Sequence, residues 1–300
     1  AAGLTYYEDD FSGAALDDRI VTTQKNGTVK QEGGTLNIER TTAGSGNETM
    51  ADIYMNSDKT EAMGDFVTEF VLEKSRPNMA VVMRMRASSN KDYVALNWNG
   101  DIVTSIHSLD GTTSGTSKTI SKLDYDELTR LKVTVAYHTD SRTFNMWFNN
   151  RLVLNQVYSR EPALAEDLKY VRIYLENDQV GTCKIDDFKY YEIDYQENNL
   201  SEIAYTVNGQ PAGALAEGTV EAWVNYSDSV LGSQPAALVI AQYDANGTLM
   251  GVSLQEKVMK GFDQLKVSYQ VSKAAGTKVK LLLLNGTGTL TPLQAPVEIQ

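Results

Sequence analysis

The sequence of 300 residues contains only one cysteine, Cys183, and only two histidines. A single thiol cannot form a disulfide within the chain, and it cannot supply the several thiolates of a structural zinc site. We expect Cys183 to be a small buried residue of a strand, because no partner for thiol catalysis lies near it in the sequence. His107 and His138 are not at a spacing that is typical of zinc ligands.

Long apolar runs and an excess of positive charge are also missing. The longest apolar run, residues 279–284, is interrupted by Lys280 and is much shorter than a membrane span. The formal net charge is -12, and a surface of this sign repels phosphate backbones and anionic lipid headgroups. The composition therefore disfavours nucleic acid as a partner, and it predicts no insertion into a membrane.

Alternation of apolar and polar residues dominates the chain up to about residue 195, and this period of two is typical of strands. It is clearest in the segments 35–39, 65–72, 79–86, 93–98, 131–137, 143–148, 170–175 and 184–191. Turn sequences such as Asn26-Gly27 and Asp110-Gly111 separate the strands, and helical patterns are confined to single turns. Many short strands without helical crossovers predict an all-β fold, an antiparallel jelly-roll sandwich.

A polar stretch at 195–201 interrupts the alternation, and we place a linker there. The linker predicts two domains, residues 1–195 and residues 202–300. The second domain has strand-like segments of its own at 218–226, 236–243, 249–256, 264–269 and 278–284. Short strands at this density in ~100 residues predict a smaller, immunoglobulin-like β-sandwich.

Four different motifs follow one another along the first domain. They are Tyr-Glu-Asp-Asp-Phe-Ser-Gly at 7–13 with Gly-Gly-Thr-Leu at 33–36, Gly-Asp-Phe-Val-Thr-Glu-Phe at 64–70, Met-Arg-Met-Arg-Ala-Ser at 83–88 before Asp-Tyr at 92–93, and Ile-Asp-Asp-Phe-Lys-Tyr at 185–190. In this order the first domain resembles the bacterial laminin-G-like, concanavalin-A-like jelly rolls of secreted carbohydrate-active proteins. The resemblance implies the fold and an extracellular or cell-surface location. It does not fix the function, because the same architecture serves lectins, binding modules, adhesins and glycanases.

The stretches 237–249 and 280–293 of the second domain are similar to immunoglobulin- and fibronectin-like domains of Firmicute surface proteins and extracellular hydrolases. That resemblance implies a spacer without chemistry of its own. It also implies that the chain belongs to a larger multidomain protein.

A catalytic pair of carboxylates is not evident in the sequence. Glycanases of the concanavalin-like fold carry Glu-x-Asp-x-x-Glu on one strand, so that the acids share one cleft. Glu69 and Glu73 lack the central aspartate, and no Gly-x-Ser-x-Gly elbow is present. We therefore expect no catalytic residues in this chain.

Three of the predicted strands alternate apolar residues with polar and aromatic ones. The residues predicted to point away from the core are Arg84, Arg86, Tyr93, Asn97, Asn145 and Trp147. Aromatic faces and planar polar groups are what a sugar ring requires for recognition. If these strands are neighbours, as in the resembling family, the six residues line one concave face that binds a polysaccharide or oligosaccharide. A solvated sheet face and an inter-domain contact are the alternatives.

Two acidic pairs lie near the ends of the first domain, Asp9-Asp10 and Asp186-Asp187. Terminal strands of jelly rolls commonly pair, which would bring these carboxylates together. Carboxylate oxygens are ligands that calcium prefers, so the sequence predicts a structural calcium site. The alternative is that these acids cap turns or are solvated.

The sequence thus predicts a non-catalytic pair of carbohydrate-binding modules from an extracellular bacterial protein that degrades polysaccharide or is attached to the cell surface. Two alternatives stay open. One is a structural or adhesive module that binds another protein, and the other is a glycan-acting hydrolase or lyase with unconventional catalytic residues.

Overall fold

The computed structural model describes residues 2–44, 49–62, 65–87, 90–125, 127–163, 166–176, 180–193 and 199–300. Gly64 and Ser88, which belong to the motifs that carry the resemblance, lie outside the described residues. The chain divides into two compact units, Ala2–Ile193 and Asp194–Gln300. Strands dominate both units, and among the described residues no helix has the length and apolar character of a membrane span.

The first unit contains two antiparallel sheets, and we number the strands in chain order. The strands of sheet A are β1 (Ala2–Asp9), β3 (Gly27–Glu32), β4 (Thr35–Arg40), β6 (Phe66–Lys74), β11 (Arg130–His138), β12 (Thr143–Phe148), β13 (Arg151–Tyr158) and β15 (Gly181–Ile193). The strands of sheet B are β2 (Ile20–Gln24), β5 (Thr49–Tyr54), β7 (Ala80–Arg86), β8 (Asp92–Asn99), β9 (Ile102–His107), β10 (Thr116–Ile120) and β14 (Tyr170–Leu175). A short 3-10 helix, Lys122–Asp124, precedes β11.

The strand order of both sheets mixes segments that are distant in the sequence. Sheet A runs β13-β12-β11-β6-β15-β4-β3, with β1 also paired to β15, and sheet B runs β10-β9-β8-β7-β14-β5-β2. This order confirms the predicted all-β, antiparallel jelly-roll sandwich. The terminal strands do pair, and Ala2 and Asp9 of β1 lie opposite Ile193 and Phe188 of β15.

Alternate residues of both sheets form one apolar core between them. Val133 and Val135 of β11 and Val81 and Met83 of β7 are buried in this core. Burial of each such side chain contributes about 1.5–3 kcal/mol, so the period-two pattern of the sequence decides which face of each strand turns inward. Cys183 is fully buried in the same core, as predicted.

The second unit has one hydrogen-bonded sheet of seven strands. They are β16 (Asn199–Leu200), β17 (Ala204–Val207), β18 (Gln210–Pro211), β19 (Gly218–Tyr243), β20 (Leu249–Val271), β21 (Lys278–Leu284) and β22 (Val297–Ile299). The sequence predicted two short strands in place of each of β19 and β20. The two long strands continue because their pairing resumes beyond an irregularity between Asp228 and Ser233.

Residues from both halves of β19 meet in the core of this unit. Val220 and Val224 come from its first half, Leu238 and Ile240 from its second half, and all four are buried in one cluster. The immunoglobulin-like assignment of this unit stays a prediction.

Candidate functional site

A polar and aromatic surface lies on the outer side of sheet B, next to a buried cluster of Met50, Val82 and Tyr174. The residues between its members, such as Ile53, Met83 and Ile173, are buried in the core, so the alternate positions point to the opposite side of the sheet. We call this surface the arginine–tyrosine face. Its members are Asp52, Tyr54, Arg84, Arg86, Asn97, Tyr170, Arg172 and Tyr174.

Strand register brings the members of the face together. On β14, Arg172 lies opposite Arg84 of β7 and Asp52 of β5. One pair further along, Tyr170 lies between Arg86 and Tyr54. Directly opposite residues have their Cβ atoms about 4.5–5.5 Å apart, so these side chains pack against each other across three strands.

Arg172 and Asp52 form a two-pronged ion pair in the middle of the face. The guanidinium Nε donates to Asp52 Oδ1 at 2.7 Å, and Nη2 donates to Oδ2 at 2.9 Å. These hydrogen bonds to Asp52 raise the pKa of Arg172 above its ordinary value. Because both hydrogen bonds run in parallel, the plane of the guanidinium is fixed as well as its position.

Three further guanidinium groups lie around Asp92 at the edge of the face. Arg86 Nε lies 2.9 Å from Asp92 Oδ1, while Arg84 Nε and Arg160 Nη1 lie 3.5 and 3.2 Å from Oδ2. Four arginines therefore face two aspartates, Asp92 and Asp52. The face carries a local positive excess in a chain whose net charge is -12.

Arg84 is held against its own sheet. Its Nη1 donates to the main-chain oxygens of Met83 at 2.9 Å and Leu96 at 3.0 Å. Burial lowers the pKa of this guanidinium. Arg84 therefore supplies charge and packing beneath the surface, whereas Arg86 and Arg172 are only partly buried and reach it.

The tyrosine rings form the aromatic part of the face. The centroids of Tyr54 and Tyr170 are 4.9 Å apart, with their planes at 36°. The guanidinium carbon of Arg172 lies 5.6 Å from the Tyr170 centroid. Tyr170 is buried, but Tyr54 is only partly buried and presents ring surface to solvent. A pair of tilted rings, one of them accessible, is suited to contact the apolar side of a pyranose.

Asn97 adds an unsatisfied polar atom to the face. Its side-chain oxygen is buried, and it accepts no hydrogen bond from any residue that the structure describes. A buried acceptor without a donor costs about 1–3 kcal/mol, so a water or a ligand hydroxyl is needed at this position.

Three of the six residues predicted for ligand binding, Arg84, Arg86 and Asn97, share this face. Tyr93 does not, and the expectation that it would do so is wrong. The pairing of β7 with β8 shifts register between Met85 and Arg86, so that Tyr93 is the extra residue of a bulge. The bulge turns its ring into the core, where it is fully buried and its hydroxyl donates to the main-chain oxygen of Glu166.

Asn145 and Trp147 lie on β12 in sheet A, so the predicted single face of six residues is not formed. Asn145 is buried, and its Nδ2 donates to Asn155 Oδ1 at 2.8 Å. Trp147 is only 8% exposed, and it lies opposite Thr134 and Leu152. Local alternation predicted the outward direction of these side chains but not the sheet to which β12 belongs.

The outer side of sheet A carries a separate polar cleft of about 470 Å³. Its lining residues are Glu8, Glu69, Val71, Glu127, Arg130, Lys132, Asn149, Asn150, Asp187 and Lys189. Among these residues, Glu69 lies 4.0 Å from Lys132 Nζ and 3.9 Å from Lys189 Nζ. Acidic and basic groups alternate across this cleft, so it has no strong field of one sign.

Five residues of the face were not predicted from the sequence: Asp52, Tyr54, Tyr170, Arg172 and Tyr174. Their alternation is visible in the sequence as Tyr-Val-Arg-Ile-Tyr at 170–174 and as Asp-Ile-Tyr at 52–54. Only the pairing of β14 between β5 and β7 shows that they belong beside Arg84 and Arg86.

The acidic pairs near the ends of the first unit are engaged in local hydrogen bonds. Asp9 accepts from the Tyr7 hydroxyl at 2.6 Å, and Asp10 accepts from the Ser12 hydroxyl at 2.6 Å. Burial raises the pKa of Asp186. Among the described residues, no group of three or more His, Cys, Asp or Glu side chains is arranged to hold a metal ion. Calcium binding through Asp9, Asp10, Asp186 and Asp187 stays a prediction.

No protein-family model and no curated protein matches the chain. Solved structures that are similar to it include O-glycanases from members of the human gut microbiota, at 12% identity and a TM-score of 0.45, covering 64% of this chain and 100% of that one. A CBM2 module of the evolved Dit of Lactobacillus casei BL23 phage J-1 has 10% identity and a TM-score of 0.42 over 64% of this chain and 97% of the module.

A sialidase is similar at 11% identity and a TM-score of 0.44 over 59% of this chain, which spans only 17% of that protein. These similar structures are β-sandwich proteins related to glycans, and they include both enzymes and a binding module. At such low TM-scores we assign no activity from them.

Proposed function

We propose that the chain is a non-catalytic carbohydrate-binding protein whose first unit binds polysaccharide on the arginine–tyrosine face. The observation that carries the proposal is the register of β14, which places Arg172 between Arg84 and Asp52 and places Tyr170 between Arg86 and Tyr54. Fixed guanidinium forks donate to sugar hydroxyls, and an accessible phenol ring covers the apolar side of the sugar.

The charge of the face supports neutral or weakly acidic sugars as ligands. Four guanidiniums and two carboxylates leave a moderate positive excess, and both carboxylates are already ion-paired.

The proposed lack of catalysis has a specific support on the face. Glycoside hydrolysis by two carboxylates requires one acid and one base or nucleophile at the sugar. Asp52 is held by Arg172 through both oxygens, and Asp92 is held by Arg84, Arg86 and Arg160. Every carboxylate oxygen of Asp52 and Asp92 therefore already has a guanidinium partner.

We further propose an extracellular location, a larger parent protein, and a role for the second unit as a spacer. These proposals extend the resemblance of the sequence to secreted bacterial modules. Fractionation of the source cells tests the location. We expect the parent protein in the culture medium or on the cell surface, and its absence from both fractions would contradict the proposed location.

Affinity gel electrophoresis against a panel of neutral and uronic-acid polysaccharides tests the binding. We expect one or more polysaccharides to retard the protein, and Tyr54→Ala to weaken that binding about tenfold, equivalent to ~1.4 kcal/mol. Tyr6→Ala is the matched control, because the rings of Tyr6 and Tyr190 in sheet A have the same centroid distance of 4.9 Å and a similar tilt, 43° against 36° for Tyr54 and Tyr170. Equal effects of the two variants would contradict the assignment of the face.

A reducing-end assay with the retarded polysaccharide separates binding from turnover. We expect saturable binding without release of new reducing ends or unsaturated products. Steady release that Asp92→Asn abolishes would show a hydrolase or lyase instead.

A further inference from the structure

Exposed apolar side chains concentrate on one strand of the second unit. Of the 13 large apolar side chains that are exposed among the described residues, five lie within ten residues of β20. They are Leu249, Met250, Val252, Leu254 and Val258. Single exposed apolar residues are ordinary on soluble proteins, but a cluster of them marks an interaction surface.

Val252, Leu254 and Val258 occupy alternate positions of β20 and therefore share one side of the sheet. Leu254 of β20 lies opposite Val239 of β19, and Val239 lies opposite Leu282 of β21. The alternate residues Leu238 and Leu281 are in the core, so the row of Leu254, Val239 and Leu282 points to the other side of the sheet. We call this side the leucine–valine face.

The rows on either side of this central row each end in one charge. On one side, Glu256 lies opposite Ala237, which lies opposite Leu284. On the other side, Val252 lies opposite Ala241, which lies opposite Lys280. The acid and the base therefore occupy diagonally opposite corners, and the residues of β19 between the outer strands are Ala237, Val239 and Ala241.

We propose that the leucine–valine face binds the same face of a second copy of this chain. A two-fold axis that runs parallel to the sheet and diagonal to its strands places Glu256 over the partner's Lys280, and by symmetry Lys280 over the partner's Glu256. The same axis places Leu254 above the partner's Ala241. Ala241 is only 3% exposed, so the contact is made by the larger side chains around it. Strands of the two sheets then cross at a large angle, which is one of the two common ways in which sheets pack.

The size of the face sets the expected strength. Three strands about 4.8 Å apart and about seven residues long cover ~14 Å by ~23 Å. This area is well below the ~800 Å² per partner of a standard stable interface, so we expect a weak dimer with a dissociation constant of micromolar order or higher. The association is independent of carbohydrate binding by the first unit.

Sedimentation velocity of the whole chain from ~1 µM to ~1 mM tests the proposal. We expect the weight-average mass to rise toward twice the monomer mass with concentration. Val252→Glu is expected to weaken the association at least about tenfold, because each copy then places a carboxylate on the apolar face. Ile102→Glu in the first unit is the matched control, since the two residues are 55% and 52% exposed.

Exchanging the charges of Glu256 and Lys280 tests how the two copies are oriented in the dimer. Glu256→Lys and Lys280→Glu are each expected to weaken the dimer, and the double variant is expected to restore it to within about threefold of the original. Glu256 also accepts hydrogen bonds from Thr287, and the double variant still lacks them, so recovery cannot come from that contact. A monomer at every concentration, equal behaviour of Val252→Glu and Ile102→Glu, or no recovery in the double variant would overturn the proposal.

Discussion

Replacing Arg172 by Met removes the guanidinium that holds Asp52 through hydrogen bonds of 2.7 and 2.9 Å. The two side chains are only 20% and 11% exposed, so the carboxylate left behind stays largely out of water. Breaking a buried ion pair from one side costs about 3–5 kcal/mol. Because both groups keep some contact with solvent, we expect Arg172→Met to lower the free energy of unfolding of the first unit by about 3 kcal/mol.

The complete double-mutant cycle isolates the pair. Asp52→Asn is expected to cost about 1–2 kcal/mol, because the long Arg172 side chain can turn toward water. Once one partner is gone, removing the other costs less, so we expect the double variant to be about 1.5–2 kcal/mol more stable than the sum of the single effects predicts.

Urea unfolding followed by tryptophan fluorescence measures these differences. A Trp223→Phe background limits the signal to Trp98 and Trp147, which both belong to the first unit. The control cycle is Lys189→Met with Glu8→Gln, because that pair is 4.0 Å apart and 40% and 61% exposed, and we expect its coupling to be below about 0.5 kcal/mol. An Arg172–Asp52 coupling no larger than this value would refute the two-pronged pair.

Three further predictions follow from groups inside and beside the sandwich. Burial raises the pKa of Tyr93, Tyr137 and Tyr190 to about 12. The stability that these three groups contribute is therefore complete below their ordinary pKa of 10.0, and it is lost as the pH rises toward 12. We expect the phenolate absorbance of the buried tyrosines to rise together with unfolding, and titration of every tyrosine near pH 10 in the folded protein would contradict this. Lys74→Met is expected to destabilise the first unit by about 3 kcal/mol, because the buried ammonium donates to three main-chain oxygens at 2.8, 3.0 and 2.8 Å; a urea midpoint equal to that of the unchanged protein would show that water replaces it. If the predicted calcium site exists, the melting temperature is higher in saturating calcium than in chelator. Equal melting temperatures would contradict calcium binding.

Local pattern located eight of the fifteen strands that the structure describes in the first unit, and it gave the direction of most of their side chains. The other seven were not predicted, and they include β5, which carries Asp52 and Tyr54 of the site. The segments 143–148 and 170–175 were predicted with the bounds that β12 and β14 have in the structure. Arg84 and Asn97 point outward, as their alternation with buried neighbours indicated. These features depend on residues within one strand, and a sequence contains that information directly.

The composition of the site could not be predicted because it depends on pairing between distant strands. Trp147 has the outward position that alternation indicates, but β12 lies in the sheet that does not contain Arg84. Tyr93 is misplaced for a different reason, since one extra residue in β8 reverses its direction. Arg172 completes the site from a strand about 90 residues further along the chain, and only the sheet order brings it beside Arg84.

The antiparallel contact of β1 with β15 has a mechanical consequence. Because Ala2 lies opposite Ile193, both ends of the first unit leave from the same end of one antiparallel strand pair. A force applied to these two ends acts on the hydrogen bonds between β1 and β15 one after another, and not on all of them at once. A force applied through a tether at Ala2 and Ile193 would therefore separate these strands at low force. A short peptide could join the two ends without disturbing the sandwich.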